Sequence, residues 1–189
     1  MYIVVSGFTE SGNNDIGKIT SVASNGSKIT VDWDLTTEGA GDAVTITAVT
    51  SRGLADIFED CVLEIYSGSQ PSNADAAETG TKLCRITLSS GAFTPGSPTN
   101  GLDWDAPASG KLSKASGETW SGTNLATGTA GWFRLYDNMY STGADSSAKK
   151  VRLDGAVGTS GAQLNMSSTS LTSGATTTID QFDLTLPAS

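Results

Sequence analysis

The chain reads as all-β: a β-sandwich, immunoglobulin-like or jelly roll, preceded by a small β-module and one short helix. Three observations predict this. Charged residues make up only 16% of the 189, and the 22 glycines sit among abundant Ser and Thr, a mix that suits short strands and tight turns better than helices. The stretch Thr129-Ala-Gly-Trp-Phe-Arg-Leu-Tyr-Asp137 alternates: Phe133 and Leu135 face one way, Trp132, Arg134 and Tyr136 the other. Val62-Leu-Glu-Ile-Tyr-Ser-Gly68 repeats that scheme, and Val151-Arg-Leu-Asp-Gly155 does so more weakly. Strands with one apolar face and one mixed face build a sheet with a core side and a partly wet side. Glu64 and Arg134 are placed to pair across neighbouring strands.

In chain order, residues 1–50 form the small module. Its strands are expected at Tyr2–Val5, Lys18–Val22, Lys28–Trp33 and Val44–Val49, with Asn25-Gly26 as the strongest hairpin signal. Few large apolar residues support it, so it leans on a neighbour or partner. Residues 51–61 are a helical connector, with Ser51 as N-cap and Leu54, Ile57 and Phe58 on one face. Residues 62–189 form the sandwich, with strands at 62–66, 82–88, 111–114, 118–120, 131–137, 149–154, 162–167 and 177–186. Pattern alone does not separate the two sandwich topologies. Residues 89–110 are a long loop dense in Gly, Ser and Pro, the kind that is functional or mobile.

Charge excludes some partners. A net charge of −9 and a pI near 4.3 leave no basic stripe for a phosphate backbone or an anionic membrane. No apolar run approaches the roughly 20 residues of a membrane helix, and Met1–Ser6 reads as a strand, not a signal peptide. The chain has no histidine, which removes the commonest general base and most zinc sites. Cys61 and Cys84 read as buried free thiols, with a bridge between them as the alternative. No phosphate-binding loop is present, and no cofactor is expected.

Chemistry therefore concentrates on carboxylates and aromatics. Asp103-Trp104-Asp105 sets two carboxylates around a ring that can stack on a sugar; the plainer reading has Trp104 plugging the end of the sandwich. Asp137, Asn138, Asp145 and Asp154 offer oxygens of the kind calcium takes, but without EF-hand spacing, and turn formation is the reading that explains the cluster. Trp33 and Trp120 stand among polar residues as candidate interface anchors or core anchors.

Two stretches resemble bacteriophage virion proteins. Residues 3–49 resemble a small β-module of phage tail-tube and other virion proteins, through Val5-Ser-Gly-Phe8, Asn13-Asn14, Thr20-Ser-Val22, Ile29-Thr-Val31 and Glu38-Gly-Ala-Gly-Asp42, in a single copy. Residues 52–88 and 128–188 resemble a family of small phage structural proteins. The marks are Arg52-Gly-Leu-Ala55, Leu63-Glu-Ile-Tyr-Ser-Gly-Ser-Gln-Pro71, Ala74-Asp-Ala-Ala77, Thr127-Gly-Thr-Ala-Gly-Trp-Phe-Arg-Leu-Tyr136 and Gly158-Thr-Ser-Gly-Ala162. The resemblance implies a non-enzymatic virion component in many copies, with the major capsid protein or other virion subunits as partners and homo-oligomers expected. Capsid decoration is the leading expectation. A tail or neck component is the alternative, and a carbohydrate-binding module using the Asp103–Asp105 loop is an alternative of another class.

Overall fold

The computed structural model describes residues 2–6, 15–22, 29–31, 45–49, 53–146 and 150–185. The chain divides into two compact units, Met1–Arg52 and Gly53–Ser189. The first is a four-stranded antiparallel sheet of β1 (Tyr2–Ser6), β2 (Asp15–Val22), β3 (Ile29–Val31) and β4 (Thr45–Val49), in the order β3-β2-β1-β4. Ile3 on the inner strand β1 is buried. Trp33, Ser51 and the loop 38–42 lie outside the described residues.

The second unit opens with α1, expected within the connector 51–61 and formed as a single turn, Leu54–Ile57. Asp56 Oδ2 accepts the Gly53 amide at 2.8 Å and holds the turn's start. Phe58 is buried, with Leu54 and Ile57 packed beside it on the core. Then come β5 (Val62–Ser67), β6 (Lys82–Leu88), β7 (Lys111–Ser113), β8 (Trp120–Thr123), β9 (Gly128–Tyr136), β10 (Arg152–Gly158), β11 (Leu164–Asn165), β12 (Ser170–Leu171), β13 (Thr176–Ile179) and β14 (Asp183–Thr185). Among the described residues the chain is all-β with one short helix, as the composition predicts.

The layers come from one continuous sheet, β11-β10-β9-β5-β6-β8-β13, with β12 added beside β9. Only β10–β11 is a parallel pair; the other ladders are antiparallel. The sheet curls, so that Trp120 of β8 and Ile179 of β13 join Leu63, Ile65, Phe133 and Leu135 in one core. The single strand expected over 177–186 is broken between β13 and β14. The break lets β14 pair with β7 and sends Phe182 into the core, edge-on to Phe133 at 5.2 Å. β12 was not expected; two residues carry too little alternation to register.

Gly131 shows why β9 needs a small residue within its first half. A Cβ there would sit 2.1 Å from the Gly68 carbonyl oxygen, a backbone atom. Gly131→Ala is expected to destabilise the unit by about 1–3 kcal/mol through overpacking, read as a lower urea midpoint at unchanged slope.

The second face of the sheet departs from expectation. Its centre is dry: Glu64, Tyr66, Trp132, Arg134 and Tyr136 are all buried, and the β6 cations Lys82 and Arg85 reach water. The loop 68–80 and the segment 138–146 bring polar groups that close over it, as when Tyr136 Oη donates to Glu78 Oε1 at 2.6 Å and Glu78 Oε2 accepts the Gly143 amide at 2.9 Å. Glu64 and Arg134 do stand opposite each other in the ladder. Their ion pairs go elsewhere: Glu64 to Lys82 and Arg85, both at 2.8 Å, and Arg134 to Asp154 at 2.7 Å and Glu78 at 3.2 Å. β6 and β10 flank the pair and present the nearer opposite charges.

Candidate functional site

Backbone bridges place the Asp103–Asp105 loop. Cys61 and Leu102 exchange amide bonds of 3.1 and 2.8 Å, and Trp104 bridges Lys114. This sets the loop against the start of β5 and the turn 115–118. Asp103 Oδ1 accepts the Asp60 amide at 3.0 Å, and the Asp103 amide donates to Glu118 Oε2 at 2.9 Å. Trp104 Nε1 donates to the Phe58 carbonyl at 2.9 Å, and its ring meets Trp120 edge-on at 5.2 Å. Asp105 accepts the Ser116 amide at 3.2 Å. Asp103 and Trp104, with Ala55, Asp56 and Glu59, line an open cavity of about 320 Å³.

The structure thus brings Asp103 and Trp104 to one cavity and leaves Asp105 off its lining. Trp120 is not at the surface. It is fully buried in the core, its Nε1 donating to Glu118 Oε2 at 2.8 Å. The cavity is acidic. Burial first, then the charges of Asp103, Glu59 and Glu118, hold the Asp60 carboxyl above its ordinary value.

The three aspartates of the second cluster make structural contacts, while the buried Asn138 Oδ1 has no hydrogen-bond partner among the described residues. Asp137 accepts the Met139 and Val151 amides at 3.2 and 2.7 Å. Asp145 accepts Ser141 Oγ at 2.7 Å, and Asp154 holds Arg134 through two bonds of 2.7 and 2.8 Å. Among the described residues, no three His, Cys, Asp or Glu side chains are placed to hold a metal ion.

Cys61 and Cys84 are unbridged and buried. Burial pushes the Cys84 thiol up to about 12 and raises Cys61 as well. Thiols so far from ionisation are poor nucleophiles.

The largest polar assembly is one that sequence reasoning missed. On the covered face, Tyr66 Oη donates to Glu64 Oε2 and lies 3.2 Å from Tyr136 Oη. Tyr66 stacks on Trp132 at 4.5 Å. Burial, reinforced by Glu64 at Tyr66 and by the bond to Glu78 at Tyr136, raises both phenols far above their ordinary range, so they act as neutral donors. Charges embedded in strands at 64 and 134 were the readable signal. Glu78 and Tyr140, which complete the assembly from loops, follow no period.

No family model, curated protein or solved structure matches the chain.

Proposed function

We propose that the protein is a non-enzymatic bacteriophage structural component that decorates the capsid exterior as a cement protein. The observation that carries the reading is where the phage-like motifs fall. Leu63–Pro71 and Thr127–Tyr136 supply β5 and β9, the neighbouring inner strands of the large sheet, and Ala74–Ala77 supplies part of the loop over its polar face. What is shared is scaffold. The internal engagement of Asp103, Trp104, Asp105 and Trp120 supports a role without chemistry.

The mechanism is adhesion. Unit 1 docks on the shell or on a neighbouring copy, and unit 2 lies over seams between capsid subunits. Many weak contacts on symmetric positions then give avidity without a strong single site. Removal of residues 1–52 is expected to leave residues 53–189 folded and to abolish attachment to particles. Truncated protein binding at full occupancy would overturn the assignment of docking to unit 1.

A second reading, a tail or neck component, rests on the tube-like motifs of residues 3–49. Electron microscopy of particles labelled with an antibody to unit 2 separates the two. Label over the head supports decoration; label confined to the tail or neck replaces it.

A further inference from the structure

Segment 138–146, part of the connection from β9 to β10, folds back over the polar face of the sheet. Carboxylates hold it there. Glu64 Oε1 accepts Tyr140 Oη at 3.1 Å, and Glu78 Oε2 accepts the Gly143 amide at 2.9 Å. Asp137 ties the Met139 amide at one end to the Val151 amide beyond the other. Asp145 accepts Ser141 Oγ within the segment. The contacts without a carboxylate run from Arg152 to the Ser141 and Gly143 carbonyls at 2.8 and 2.9 Å and to Ser141 Oγ at 2.6 Å, from Arg85 and Lys82 to Tyr140 Oη, from the Asp145 amide to the Asp75 carbonyl at 2.9 Å and from the Gly96 amide to the Asn138 carbonyl at 2.8 Å.

Tyr140 is the plug. Its hydroxyl accepts from Arg85 at 2.6 Å and Lys82 at 3.2 Å, and the Arg85 guanidinium lies 4.8 Å from its ring centre. Its backbone stands at φ 26, in the left-handed region that strains a bulky residue. Closure therefore depends on these contacts to outweigh local strain.

We propose that residues 138–146 are an acid-released strap: they leave the polar face when its carboxylate acceptors are protonated, while the curled sheet stays folded. Every packed element contributes charge to the balance. β6 presents Lys82 and Arg85, β9 presents Arg134, and β10 presents Arg152. Against them stand Glu64 on β5, Asp154 on β10 and Glu78 on the loop 68–80, with Asp137 and Asp145 on the connection itself. Lys150 lies 3.7 Å from Asp145, and Tyr66, Tyr136 and Tyr140 stay neutral throughout. Without the carboxylate charges, Lys82, Arg85, Arg134 and Arg152 would face one another across the closed strap. The Ile65 and Leu135 side of the sheet is an apolar core.

Glu78 gives the direction. Burial raises its pKa, but the bonds from Tyr136 and Gly143 and the Arg134 charge outweigh that and hold it below its ordinary 4.5. A depressed folded pKa stabilises the closed strap above 4.5, and that stability is lost as pH falls through the folded value. Release uncovers the Tyr136 ring, against which Tyr140 packs at 4.8 Å.

The test is amide hydrogen exchange on the full chain, expressed as protection factors so that the intrinsic pH dependence cancels. Between pH 7 and pH 3 the Gly143 amide is expected to lose at least tenfold more protection than the amides of Ile65 and Leu135. Equal losses, or none at Gly143, overturn the proposal. Glu78→Gln does not titrate and keeps one acceptor oxygen, which can hold the Tyr136 bond or the Gly143 bond but not both; with the titrating charge gone, the Gly143 loss between pH 7 and pH 3 is expected to shrink several-fold. Should that variant fail to fold, Asp145→Asn serves the same purpose. A Gly143 loss unchanged in the folded variant tested also overturns it.

Discussion

Replacing Arg134 with methionine is expected to destabilise the Gly53–Ser189 unit by about 3–5 kcal/mol, the cost of breaking a buried ion pair from one side. Arg134 is fully buried, and its guanidinium meets Asp154 through two parallel bonds of 2.7 and 2.8 Å. A third nitrogen, Nη1, donates to the Ala76 carbonyl at 2.9 Å and to Glu78 at 3.2 Å. Methionine fills much of the same space along the stem, so little of the loss comes from packing. The loss comes from Asp154, whose side chain is 3% exposed and would be left buried without its partner. Urea titration of single and double variants separates the causes. Arg134→Met with Asp154→Leu is expected to recover most of the loss, because the orphaned carboxyl is gone. A single variant within 1 kcal/mol of the parent would mean that the loop 68–80 yields and admits water, which contradicts a tightly closed polar face.

That closed face marks the boundary of what the sequence discloses. β5 and β9 are legible because alternation is local: residues 63, 65, 133 and 135 share one face by geometry alone, and all four are in the core. Their polar counterparts are legible as a face but not as buried. Their cover is Glu78, 14 residues beyond Glu64, and Tyr140, inside a connection with no periodic pattern. Long-range choices are similarly silent. Only the pairing of β14 with β7 tells why the expected strand 177–186 must break and turn Phe182 inward. The candidate site divides the same way. Asp103 and Trp104 lie near each other in any fold, whereas the Asp60 amide, the Phe58 carbonyl and Glu118 arrive through tertiary structure. Polar neighbours make Trp120 look like a surface residue, yet Glu118 satisfies its indole N–H and lets the ring go under.

Trp120 supplies the second large effect, because its two readings predict opposite outcomes. As an anchor on the surface it would be removable at little cost to stability, with the loss falling on attachment. As the buried residue seen here, Trp120→Ala is expected to cost about 3–5 kcal/mol. Its ring packs against Trp104 at 5.2 Å and Phe182 at 6.1 Å, so truncation opens a cavity where β8, the loop before β7 and the segment after β13 meet. Glu118 Oε2 would also lose one of two donors, the other being the Asp103 amide. Because Asp103 in turn receives the Asp60 amide, loosening is expected to spread to the acidic cavity beside α1. Trp120→Phe keeps a ring and loses the N–H, which limits its cost to about 1–3 kcal/mol for a bond to a charged acceptor. Urea midpoints for both variants, measured beside particle attachment, give the decision. A graded loss of stability, Ala beyond Phe, with attachment intact at temperatures where each variant is folded, assigns Trp120 to the core. Parental stability in Trp120→Ala together with lost attachment assigns it to an interface and removes it from the core described here.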